Sequence, residues 1–297
     1  MTAPTAMATA AASGRKPRDD ELDVYGLTHT GLARRDNQDH FLICSLRKQV
    51  LVHHTSLPAI QHLSAAGERL AFVAMVADGV GGGARGEVAA RLAVETVTQY
   101  VTDSMRCYYA NNADDTEFSQ ALEEAALQCH ADCLQRASQD PDAGGMATTL
   151  TLFLGVWPRA YLLQVGDSRY YALRRGELLQ ISRDQTLAQE LVDLGVLSRS
   201  DASRSRLANT LSSAIGGRQT APVVTRMTSE WGNVGLLCSD GLTRHVSEER
   251  ICDRLRNISS AKQVCEDLLQ DALEGGGSDN ITVVVFRAVA RDSTPVV

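Results

Sequence analysis

The chain has 297 residues, 29 Lys plus Arg against 36 Asp plus Glu, and a formal charge of −7, with 44% apolar and 22% charged residues. That length allows one large domain or two small ones at roughly 100–200 residues per domain. The acidic balance argues against a general nucleic-acid binder or an anionic-membrane binder, which needs a basic surface.

No stretch reaches the ~18 consecutive apolar residues of a membrane-spanning helix. The 7 cysteines are an odd number without a Cys-x-x-Cys pair. Scattered thiols point to a reducing, cytoplasmic setting.

Residues 1–21 stand apart: Met1 to Ala12 is rich in Ala and Thr, and Gly14 to Asp20 is mostly charged. This reads as a disordered tail, because Thr and Pro interrupt any apolar core that a secretory signal needs. Such a tail has little to bury, so removing residues 1–20 is predicted to leave stability unchanged. One globular domain is expected over residues 22–290, followed by a second tail at 291–297.

Strand-like runs occur at Asp23–Thr28, Asp39–Ser45 and Leu70–Ala77, and the segment Arg47–Arg69 between the last two reads as an exposed hairpin or loop. Its His53, His54 and His62 lack acidic partners and do not suggest a metal site. Helical periodicity follows over Gly86–Val101, with Val88, Leu92, Val94 and Val97 on one face, and over Thr116–Ala137. Cys129 and Cys133 have the spacing of one buried helix face. Five more strands are expected at Thr149–Val156, Ala160–Val165, Arg169–Arg174, Val223–Met227 and Val234–Cys238, and a last one at Ile281–Arg287. A tight turn is expected at Arg175-Gly176. Shorter helices are predicted at Leu187–Leu194, Ser247–Leu255 and Ala261–Leu273, with Ser247 as N-cap and Glu248 and Glu249 in the first turn. Strands come in groups with helices clustered between the groups. That order favours antiparallel sheets covered by helices over a doubly wound parallel sheet.

Three turns share one design, an apolar strand next to an Asp-Gly or Asp-Asn: Val76-Ala77-Asp78-Gly79, Leu237-Cys238-Ser239-Asp240-Gly241, and Gly277-Ser278-Asp279-Asn280 before Ile281. A strand held by its neighbours fixes the carboxylate at its end. Three such ends suit a hard cation such as Mg²⁺ or Mn²⁺, and no His or Cys is spaced to favour zinc. Arg34, five residues before Asp39, offers a fork that matches two phosphate oxygens. Gly166-Asp167-Ser168-Arg169 adds a further acid between two strands. Gly79 to Gly83 lacks the Gly-Lys-Ser/Thr ending of a nucleotide P-loop, and no Gly-x-Ser-x-Gly elbow is present.

The set and its order resemble the metal-dependent type 2C Ser/Thr protein phosphatases, in their bacterial single-domain branch. The pieces are Gly31 to Asp39, Ala77-Asp78-Gly79-Val80-Gly81-Gly82, Gly86-Glu87, Ala147-Thr148-Thr149, Val165 to Arg169, Cys238 to Leu242 and Gly277 to Asn280. The resemblance implies an α+β fold, a four-layer αββα sandwich with two central antiparallel sheets. It implies that Asp78 bridges two Mn²⁺ or Mg²⁺ ions, with Asp240 and Asp279 on the first, and the Gly79 carbonyl and Asp39 on the second. Arg34 would bind substrate phosphate, Gln38 and Asn280 would lie just outside, and Asp167 with Asp240 would support a weaker third ion. Residues 184–218 would form a flap beside the site.

Hydrolysis would proceed by in-line attack of water activated between two cations ~3.5–4 Å apart, without a phosphoenzyme. The implied function is a protein serine/threonine phosphatase opposing a Ser/Thr kinase. It would be a cytoplasmic monomer acting on phosphoproteins, with no nucleic-acid or membrane partner. The alternatives are a catalytically weak regulatory module on the same fold and a phosphoesterase for small molecules. Gln38 replaces the Glu usual before the first-motif Asp. Gly83 and Gln185 stand where many bacterial relatives have His, and Val80 stands where animal members carry a general-acid His.

Overall fold

The computed structural model describes residues 14–48, 67–81, 84–103, 115–139, 144–202 and 204–290. Its first sheet joins β1 (Leu22–His29), β11 (Ile281–Ala288), β10 (Val234–Cys238), β7 (Arg169–Arg174) and β8 (Glu177–Gln180), in that order. The second joins β2 (Asp39–Lys48), β3 (Glu68–Val80), β5 (Leu150–Val156), β6 (Arg159–Val165) and β9 (Val223–Thr228), with the short β4 (Ala147–Thr148) paired to the end of β3. All these pairings are antiparallel. Helices α1 (Ala84–Asp103) and α2 (Asp115–Gln139) cover the second sheet, while α6 (Glu248–Arg256) and α7 (Ala261–Glu274) cover the first. This is the four-layer sandwich expected from the sequence.

Period-two alternation builds it. In β3, Ala71, Val73 and Met75 pack toward α1 and α2, whereas Phe72, Ala74 and Val76 pack toward the other sheet. Both faces are covered, so the run is apolar at every position. In β11, Val283 and Val285 face α7 while Val284 and Phe286 face the second sheet. The helices answer with one apolar face each: α1 buries Ala89, Ala93, Val97 and Val101, four residues apart. Helix α2 buries Phe118, Leu122, Ala126, Cys129 and Cys133, so the two cysteines are core side chains.

Predicted strands and the longer helices fall within a few residues of their observed bounds. Ser247 caps α6 as expected, its Oγ accepting from the Arg250 N–H at 3.3 Å. The N-terminal boundary is different. Residues 15–21 pack on the domain: Arg15 donates to the buried Glu21 carboxylate at 2.7 Å, and its guanidinium lies 4.9 Å from the Trp231 ring centre. Arg69 of β3 donates to Asp19 at 2.7 Å and to the Pro17 carbonyl. A charged stretch shows no apolar period, and a partner 50 residues away leaves no local trace, which is why this segment reads as tail in the sequence. The ends of the supposed 47–69 loop belong to β2 and β3, while His53, His54 and His62, like residues 1–13 and 291–297, lie outside the described residues.

Candidate active site

The alternation that makes the core also delivers the acids. Two residues beyond Val76, Asp78 takes the same inner face of β3, and its partner across the β2–β3 ladder is Asp39. From the opposite sheet, Ser239 follows Leu237 and Thr282 precedes Val284 on the inner face. Asp39 is only 2% exposed. Its Oδ2 accepts from the Ser239 Oγ and the Thr282 Oγ1, both at 2.7 Å, while its Oδ1 is buried without a partner. Burial pushes the Asp39 carboxyl up to about 6, against the two hydroxyls that favour its charge and with Asp240 and Asp279 adding repulsion.

Asp78 lies above it, its backbone N–H donating to Thr149 Oγ1 at 3.0 Å. Burial raises its carboxyl well above the carboxylate range, reinforced by the charges of Asp39, Asp240, Asp167 and Asp279. Asp167 sits in the turn between β6 and β7 and is pushed up to about 7 by burial and by Asp240 and Asp184. Asp240 opens the single-turn helix α5 (Asp240–Thr243) and is also raised by burial, with Arg244 opposing. These acids share one electrostatic environment at one end of the sheets.

Two of the motif glycines are there for backbone packing. A Cβ on Gly79 would lie 2.3 Å from the Gly86 carbonyl oxygen, and one on Gly241 would lie 1.9 Å from that of Asn280. Asn280 then fastens the Arg34 loop. It donates to the carbonyls of Thr30 at 2.9 Å and Asp36 at 3.0 Å, and accepts from the Gln38 N–H at 2.8 Å. Gln38 in turn reaches the Gly81 carbonyl at 3.1 Å.

Arg34, Gln38, Asp78, Gly79, Asp167, Asp240, Asp279 and Asn280 line one cleft, with Asp39 buried against it. The other wall is the 184–218 segment, which contains α3 (Leu187–Asp193) and α4 (Arg199–Ala202) and presents Leu211 and Ser212. Gln185 anchors that segment, accepting from the Gly166 N–H at 2.7 Å next to Asp167.

The sequence reading missed Ser239, Thr282 and Arg244. The first two were detectable from alternation, since Thr282 is an inward position of β11 and Ser239 continues the inward alternation one residue past the end of β10. Arg244 is four residues after Asp240, the spacing of neighbours on a helix face. Its guanidinium donates to Asp279 Oδ2 at 3.0 Å and to Asp240 Oδ2. Arg34 grips Asp279 through its Nε and Nη2, both at 2.8 Å. As the side chains stand, no three His, Cys, Asp or Glu among the described residues converge on a metal position. The reason is visible in those contacts: arginines hold Asp240 and Asp279, and hydroxyls hold one oxygen of Asp39. The donors nevertheless fit a hard divalent cation. They are all oxygens, they repel one another, and the orphaned Asp39 Oδ1 lacks the positive or donor partner that a buried carboxylate needs.

Comparison with known proteins agrees with this geometry. The sequence model of the protein phosphatase 2C family matches residues 59–277. The serine/threonine protein phosphatase PstP of Mycobacterium tuberculosis is 36% identical over 217 residues, which is 73% of this chain and 40% of that longer protein. The serine/threonine phosphatase stp of Listeria monocytogenes is 30% identical over 223 residues, covering 75% of this chain and 85% of its own length. Among solved structures, the catalytic domain of PstP in complex with 2 manganese ions superimposes with a TM-score of 0.69 at 31% identity, covering 90% of this chain and 98% of that one. Fold, motif order and sequence identity agree, and this chain belongs to the protein phosphatase 2C family.

Proposed function

We propose that the chain is a Mn²⁺- or Mg²⁺-dependent protein serine/threonine phosphatase. The observation that carries the reading is the gathering of Asp39, Asp78, Asp167, Asp240 and Asp279 at one end of the two sheets, with Arg34 seated on Asp279. Asp78, Asp240, Asp279, Asp39 and the Gly79 carbonyl are the groups that would hold two ions, with Gln38 and Asn280 positioning the loop around them. Two such ions supply Lewis-acid charge and an acidified water for in-line attack on a phosphoryl group.

The chain's own residues do the rest. Arg34 has its side chain 54% exposed at the cleft, and its planar fork can exchange Asp279 for two phosphoryl oxygens once that carboxylate is engaged elsewhere. Ser239 and Thr282 hold the Asp39 carboxylate through its Oδ2 in one orientation, leaving its buried Oδ1 without a partner among the described residues. The 184–218 segment restricts water on the far side and offers Leu211, Ser212 and Arg218 to the residues flanking a phosphorylated side chain.

Phosphoprotein substrates, an opposing Ser/Thr kinase, a monomeric state and a cytoplasmic location belong to the same proposal. No described helix is long and apolar enough to cross a membrane. The rival reading, a regulatory module on the same fold, draws on the arginines that occupy Asp240 and Asp279. Dephosphorylation of a phosphothreonine peptide with added Mn²⁺, with and without excess chelator, decides between them. Chelator-sensitive turnover is expected. Activity unaffected by chelator removes the metal mechanism, and no turnover despite bound Mn²⁺ favours the regulatory module.

A further inference from the structure

We propose that the Arg244 guanidinium is a built-in cation that takes the place of a third metal ion on the Asp240–Asp167 side of the site. The inference rests on the metal-dependent reading above and concerns how many ions that site holds. Arg244 stands at the C-terminal end of α5, where its backbone N–H donates to the Asp240 carbonyl at 2.9 Å and its side chain turns back over the helix. One guanidinium nitrogen reaches Asp240 and the other reaches Asp279 at 3.0 Å. The same charge is felt at Asp167, where it favours the carboxylate.

A second cleft adjoins the first along the flap, and Asp167, Asp240 and Arg244 border both. The acids lining this second cleft are Asp167, Asp184, Asp193, Asp240 and Glu248. Asp184 is held by Arg169 through contacts of 2.7–3.1 Å, and Asp193 is paired with Arg183. Glu248 lies 3.8 Å from Arg169, and Asp240 has Arg244. Only Asp167 has no arginine on it among the described residues. A third divalent ion would therefore find one free carboxylate and would sit against a fixed positive charge, too little for retention. The resemblance gave that ion to Asp167 and Asp240; in this proposal the Arg244 guanidinium stands in its place. The consequence is a third positive charge whose presence does not depend on metal concentration.

The test is Mn²⁺ titration of the whole chain, followed by calorimetry and by the electron paramagnetic resonance of free Mn²⁺. Wild type should bind two ions. Arg244→Ala should gain a third, weaker one, and the double variant with Asp167→Ala should return to two. Loss of the competing guanidinium should also tighten the first ion at Asp240 and Asp279 by roughly tenfold, the scale of one charge-assisted hydrogen bond. Arg244→Lys keeps the charge and should stay at two, so a folding defect in the alanine variant, seen as a lost melting transition, leaves a second reading. A third ion in wild type that vanishes in Asp167→Ala overturns the inference, as does an Arg244→Ala protein that folds and still binds two. A wild type that binds no Mn²⁺ brings down the metal-dependent reading itself, which is a separate result.

Discussion

The space between the two sheets has two ends built from the same strands, and they carry opposite chemistry. At one end Phe72, Phe153, Tyr170 and Phe286 form a ring cluster, with Phe153 and Phe286 at 4.7 Å and Phe72 and Phe286 at 5.3 Å between centres. Six residues further along β3, about 20 Å away at the rise of a strand, the inward position is Asp78. Around it stand Asp39, Ser239, Thr282 and Thr149, a hydrogen-bonded polar set. Backbone alternation decides which residues face inward at both ends. Side-chain chemistry alone decides whether an inward position becomes core or site. The aromatic end supplies burial that offsets the cost of crowding carboxylates at the other, the usual division between stabilising and reactive regions.

The sharpest way to separate the two ends is one substitution at each. Asp78→Asn should lower kcat on a phosphothreonine peptide by at least about 10²–10³-fold, the scale of losing a group aimed at the reacting centre. Its melting temperature should hold or rise, because the amide removes one charge from a buried, mutually repelling set. Phe286→Ala should do the reverse. Removing that 8%-exposed ring should cost about 3–5 kcal/mol, read by urea unfolding, with Mn²⁺ stoichiometry unchanged in the folded fraction. An Asp78 variant that melts like the Phe286 variant would mean that the polar end is structural.

The comparison also explains what the sequence could and could not say. Strand ends such as Val76-Ala77-Asp78 are legible because an apolar run that stops at a carboxylate is a local pattern. Ser239 and Thr282 are legible only after the strand faces are assigned, since their role is to hold an Asp 200 and 243 residues away in the chain. The arginine grips on Asp240 and Asp279 depend on which charges folding brings together, and sequence spacing suggests only the Asp240–Arg244 half. The segment 15–21 shows the same limit at the aromatic end, where Lys16, Pro17 and Arg69 border a cavity beside Phe72 and Phe153. The sequence reading predicts no effect from deleting residues 1–20. The structure predicts a lower melting temperature, because the deletion removes Arg15 and Arg18 from the Glu21 carboxylate and Asp19 and the Pro17 carbonyl from Arg69. A melting curve identical to the full chain would restore the tail.

The smallest effect is a pH slope set by the raised carboxylates of the polar end, opposed in part by His130, whose imidazole burial lowers. In excess chelator, Asp39 and Asp167 have folded values pushed up to about 6 and about 7, above the ~3.9 of an unfolded Asp. Between those limits the folded chain holds protons that the unfolded chain has released. Their contribution to stability is therefore complete below about pH 4 and is lost as pH rises through 6 and 7. The metal-free melting temperature should fall between pH 5 and 8. Glu21 has the opposite sign, being lowered to about 2 by Arg15, so its contribution is lost only on acidification below the usual carboxylate range and does not disturb this window. Asp39→Asn should flatten part of the slope, and Phe286→Ala should lower the whole curve without changing its shape. Saturating Mn²⁺ should reverse the trend, since the ion competes with protons for the same oxygens and binds better as pH rises. A flat metal-free profile from pH 5 to 8 would mean that these carboxylates titrate as exposed acids, and the contrast between the two ends would lose its electrostatic half.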